Sequence, residues 1–174
     1  MNKLRWLLLT TFLIGSGTAG YFAVEANSES GEFLDISHTG AHASLFEEYH
    51  DVYIGKQLRW TGDQMPTVQD INIIKDDGTV LSSGDESIHI ELFFDPHNET
   101  DLFYGFSPDM REIVGDYERP NDFKLTERTT TIVFKVTLHE ANYQFDLDYL
   151  QIEYEVNDQE EAQEIPLRSF VFHH

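Results

Sequence analysis

The chain has 174 residues and a formal net charge of −21, from 32 acidic and 11 basic side chains. A hydrophobic share of 40%, with 13% aromatics, is enough for a packed core and excludes a disordered chain. The charge makes nucleic acid and anionic headgroups poor partners, and the absence of cysteine removes disulfides, thiolate sites and a cysteine-borne lipid anchor.

The first element is Trp6 to Val24, nineteen residues without a charge, preceded by Lys3 and Arg5 and followed by Glu25. A bilayer core of roughly 30 Å takes about 20 apolar residues as a helix, so the run is long enough to span. Positive charge before it and negative charge after it predict a single-pass anchor with everything from Glu25 onward outside the cell membrane. The competing reading is a cleaved signal peptide and a secreted product, with Ala19 or Ala26 at the cleavage site. Gly15, Gly17 and Gly20 also spell G-x-G-x-x-G, but without the strand and helix that a dinucleotide turn requires. Residues 1–26 hold Lys3, Arg5 and Glu25, a net +1, so the exported remainder carries −22.

Residues 27–49 read as a polar linker and a short irregular or helical lead-in. Leu45, Phe46 and Tyr49 fit one short helix, and Phe33 to Ser37 fits a strand. From Val52 the pattern is β. Val52 to Trp60 ends at a Thr61-Gly62-Asp63 turn, and Gln69 to Lys75 alternates. Asp77-Gly78 then marks a tight hairpin. Ser87 to Asp95 puts Ile88, Ile90, Leu92 and Phe94 on one face, with His89, Glu91 and Phe93 on the other. Leu102 to Phe106 is a short aromatic strand. Asp109 to Arg119 has no decisive period. Thr129 to His139 is the clearest central strand, with Ile132, Phe134, Val136 and Leu138 inward. Tyr149 to Val156 alternates, residues 157–163 read as a solvated acidic loop, and Glu164 to Phe172 closes the domain. Alternating strands of this number predict an all-β fold: an immunoglobulin-like antiparallel β-sandwich of 7–9 strands over residues 50–174, behind an N-terminal apolar export or anchor helix.

Few residues suggest chemistry. His38 and His42, four apart beside Glu47 and Glu48, share a face if helical and could grip a transition metal, although Gly40 between them weakens that helix. Asp95, Asn98, Glu99 and Asp101 cluster hard oxygen ligands in one loop, a calcium-type donor set without the EF-hand spacing. Trp60 and Phe93 are candidates for an aromatic partner platform, and alternation places Phe93 opposite the core face, exposed or under residues 31–51. No hydrolase motif is present, so the expected function is non-enzymatic and needs no cofactor. It is an extracytoplasmic interaction module for an unidentified protein or cell-wall partner, tethered through the N-terminal segment. A calcium- or zinc-binding protein is the alternative.

Leu58-Arg59-Trp60-Thr61-Gly62-Asp63, Pro66-Thr67-Val68 and the run Ile71 to Thr79 resemble small uncharacterised exported proteins of Bacillus-type bacteria. The resemblance covers residues 52–95, implies the same compartment and a sandwich, and carries no activity.

Overall fold

The computed structural model describes residues 31–37, 40–48, 50–105, 107–140, 143–167 and 171–172. The predicted membrane run, His38, Tyr49 and Phe106 lie outside them. No helix among the described residues is long and apolar enough to cross a membrane.

Two antiparallel sheets face each other in a sandwich-like arrangement. The first has the order β1 (Phe33–Asp35), β3 (Val52–Trp60), β8 (Thr129–Leu138), β5 (Ile88–Asp95), with β6 (Leu102–Tyr104) also on β3. The second runs β10 (Gln159–Pro166), β9 (Leu147–Val156), β4 (Thr67–Lys75), β7 (Phe123–Lys124). Beside them, β2 (Ala41–His42) pairs in parallel with β11 (Val171–Phe172). Two short helices complete the described chain, α1 (Leu45–Glu48) and α2 (Pro108–Gly115).

Strand phase follows the alternation of apolar residues. Ile132, Phe134 and Val136 of β8 meet Val52, Ile54, Leu58 and Trp60 of β3, and Ile71 and Ile73 of β4 meet Leu150 and Ile152 of β9. Each buried side chain of this size contributes roughly 1.5–3 kcal/mol through the apolar surface it removes from water. Phe33, Trp60 and Tyr154 form an aromatic cluster at one end, with ring centroids 4.9–5.4 Å apart.

Two segments differ from the sequence reading, and two that it left open take definite form. Phe33–Asp35, within the Phe33 to Ser37 stretch that fits a strand, is an edge strand of the first sheet, paired to Trp60–Leu58. Residues 157–163 are not a loop: Asn157 and Asp158, at φ 56° and 59°, form a two-residue turn, and pairing starts at Gln159 with Val156. Both residues tolerate the left-handed region that such a hairpin needs. The expected last strand, Glu164 to Phe172, is correspondingly split between the end of β10 and β11. The stretch after Ser107 becomes α2 because Ser107 caps it, accepting the Met110 N–H at 3.2 Å, and Pro108 opens the first turn.

The inward face of β3 also carries a charge. Lys56 projects from the core face of β3, is 8% exposed, and places its ammonium 2.6 Å from Asp35 of β1.

Candidate functional site

The 95–101 loop lies across the outer face of the first sheet. Asp95 is 1% exposed and its carboxylate is fully engaged. Oδ1 accepts the His97 N–H at 2.9 Å; Oδ2 accepts the Glu99 N–H, the Thr100 N–H and the Thr100 hydroxyl at 2.7–2.8 Å. Four donors already converge on the carboxylate, three of them on Oδ2, and compete with any ion for its lone pairs. Asn98 is also committed, accepting from the Thr131 hydroxyl at 2.9 Å and donating to the Thr129 carbonyl at 3.4 Å. Glu99 and Asp101 are exposed. The loop's four oxygen residues therefore point to different tasks rather than to one centre. Gly55 explains how the loop sits so low. Its N–H donates to the Asp101 carbonyl at 2.7 Å, and a Cβ there would lie 2.8 Å from the Thr100 carbonyl carbon.

His42 stands on β2 with Nδ1 2.7 Å from the Ser44 hydroxyl and accepting the Ser44 N–H at 3.2 Å. Among the described residues no three His, Asp or Glu side chains are placed to hold a metal.

Trp60 is 1% exposed, and its indole N–H donates to the Gln64 carbonyl at 2.7 Å. It is a core residue, not a surface platform. Phe93 does face away from the core, as alternation requires, but residues 117–119 cover it rather than residues 31–51. Tyr117 packs 5.8 Å from its ring and the Arg119 guanidinium 4.6 Å above it. Around them, Lys135 pairs with Glu91 at 2.9 Å and lies 4.0 Å from Asp51, while Arg119 reaches Glu91 at 3.2 Å. The Lys135 hydrogen bond holds the Glu91 carboxyl below its usual range against the opposing effect of burial. Burial pushes the Tyr117 hydroxyl up to about 12, so it stays protonated beside Thr100, 2.6 Å away. This network clamps Thr100, Tyr117 and Arg119 onto the sheet.

The outer face of the second sheet is different in kind. Glu160 faces Glu155 directly across β10 and β9, and Asp70 faces Glu153 across β4 and β9. No ion pair reaches these four carboxylates among the described residues. Glu153, Glu155 and Glu160, with Gln69 and Glu161, line a shallow concavity of about 440 Å³. Sequence reasoning missed this face because residues 157–163 read as a loop, which hides the cross-strand register of Glu160.

No protein-family model, curated protein or solved structure matches the chain.

Proposed function

We propose that the chain is a non-enzymatic, extracytoplasmic interaction module on an immunoglobulin-like sandwich, held at the membrane by residues 6–24 or released after cleavage, and that its partner is basic. The order β1-β3-β8-β5 against β10-β9-β4 supports the immunoglobulin-like reading, because it is the A-B-E-D and G-F-C arrangement of a constant-type domain. The observation that carries the function is the pair of like-charge contacts Glu155–Glu160 and Asp70–Glu153 on one solvated face. Like charges directly opposite across two strands destabilise the sheet, by the same few tenths to about 1 kcal/mol that opposite charges contribute. Cβ atoms so paired stand about 5 Å apart, inside the Debye length of roughly 8 Å at physiological salt, so salt relieves the repulsion only in part. A cationic partner relieves it further.

The test measures both sides of that trade. Glu160→Gln should stabilise the free protein by up to about 1 kcal/mol in urea melts while weakening its binding to an oligolysine probe at 0.15 M salt. A variant that is no more stable and binds equally well defeats the reading. Micromolar Ca²⁺ or Zn²⁺ should leave the melting temperature unchanged; a rise following ligand saturation moves the function to cation binding. Ser30→Cys should label with an impermeant thiol reagent on intact cells, and labelling only after lysis reverses the orientation.

A further inference from the structure

Three of the four outer strands of the sandwich are covered or protected along their free edges. On the β3 side, β1 takes residues 58–60, β6 takes 52–54, and single bonds from Ile36 to the Gln57 carbonyl and from Gly55 to the Asp101 carbonyl fill the gap. On β4, β7 pairs with Thr67 and Val68, the Asp70 carboxylate accepts the Ile71 N–H, and Leu81 donates to the Ile73 carbonyl. On β10 the edge carries Glu160, Glu161, Glu164 and Pro166, the charges and proline that keep such edges single, and the Gln163 side chain clamps the Phe33 backbone with two bonds of 2.7 Å.

The edge of β5 is open. Phe94 bonds outward to Glu118 in both directions, at 2.8 and 2.9 Å. Alternation then points the N–H and C=O of Ile90 and Leu92 outward as well, because backbone direction repeats every second residue. Neither residue has a partner there among the described residues. The chain stops covering the edge because Pro120 follows Arg119: proline has no N–H to continue the ladder, and the chain crosses instead to pair Phe123 with Val68. The space it leaves is a groove of about 340 Å³ between the edges of β5 and β4. Ile71, Ile73 and Leu81 line it with Ile90 and Leu92, and Pro120 closes one end.

We infer that this groove binds an extended, basic peptide segment of the partner by strand addition, continuing along β5 the antiparallel pairing that Glu118 begins. The inference deepens the proposed function and rests on it for the sign of the partner's charge. Two backbone N–H groups and two C=O groups on an apolar wall are the complement of a strand that buries alternate apolar side chains. Positions 89–92 give a slot about 14 Å long, room for roughly four or five extended residues. Charge complementarity selects the occupant. The charged side chains that line the groove, Glu91 and Arg119, pair with each other at 3.2 Å, so the net charge of −22 on the domain sets the sign of the occupant. A second copy of the chain would bring an equal negative charge to the same edge.

The test is amide hydrogen exchange on the full chain in a neutral detergent. The probe is an end-blocked Lys-Val-Lys-Val-Lys peptide, with two N-methylated versions, one at the valines and one at the inner lysines. The parent peptide should slow exchange at Ile90 and Leu92, roughly 100-fold at about 100 times its Kd. One N-methylated version, the one whose methyls face β5, should lose that protection while keeping its charge. Ile90→Pro should abolish binding without breaking the β5–β8 ladder, since the Ile90 N–H lies outside it. Peptide binding that leaves both amides unprotected overturns the groove but not the basic-partner reading. Equal protection by all three peptides, or no protection by any, also overturns the groove. Protection of Ile90 and Leu92 in concentrated protein without peptide, together with a doubled mass, assigns the edge to a second copy instead.

Discussion

Replacing Asp95 by alanine removes one carboxylate and leaves three backbone N–H groups and the Thr100 hydroxyl without their acceptor. Thr100 is 4% exposed, so water does not replace the carboxylate there without the loop lifting. Hydrogen bonds to a charged group are worth about 1.5–3 kcal/mol each, and an orphaned buried donor costs about 1–3. Lifting the loop relieves the donors at 97 and 99, whose residues are exposed, so the bonds at Thr100 set the scale. We expect a loss of about 3–5 kcal/mol. Asp95→Asn should fall between that variant and wild type, because an amide oxygen still accepts while its NH2 opposes the N–H groups. Urea unfolding at pH 7 is the assay, and the midpoint should drop with the slope unchanged. Adding Ca²⁺ should restore nothing, since the carboxylate is a staple for its own loop. A variant within about 0.5 kcal/mol of wild type would refute the reasoning, because only a surface residue behaves so.

The Lys56–Asp35 pair should behave asymmetrically: Asp35→Ala strands a buried ammonium and costs about 1–2 kcal/mol, less than the 3–5 of a fully buried pair because the Asp35 side chain is 37% exposed, whereas Lys56→Met should be neutral or stabilising. Burial alone would raise the Asp35 carboxyl, but the Lys56 ammonium and the Ser37 hydroxyl and N–H hold it below its usual range. Its contribution is therefore complete above the unfolded pKa of about 3.9 and is lost as pH falls through the lower folded value, so the Asp35→Ala deficit should shrink in melts taken from pH 6 down to pH 3. Gly55→Ala should destabilise by more than an ordinary surface substitution, since the added methyl meets the Thr100 backbone; a melting curve matching wild type would show that the loop is free to rise.

Strand phase was readable from the chain because it depends on local alternation: Ile88, Ile90, Leu92 and Phe94 on one face, and Phe134 with its neighbours in β8, need only a period of two. The open positions of the Asp77-Gly78 turn were equally local, with Gly78 at φ 81°. Residues that act through distant partners were not readable. The sequence shows Asp95 as one acid among many, and only the folded loop turns its oxygens onto three N–H groups up to five residues away. Lys56 reads as a break in the inward series of β3, and its partner Asp35 lies 21 residues earlier on another strand. Trp60 is an aromatic of either use until the second sheet covers it. Gln159 to Pro166 has no apolar alternation because an edge strand in this position buries little, so its pairing with β9, and with it the Glu160–Glu155 contact, is decided by the turn at Asn157-Asp158. Which edge of the sandwich stays open is likewise a property of the assembled sheets: Pro120 ends the covering strand, but only the packing of β4 beside β5 makes the vacancy a groove.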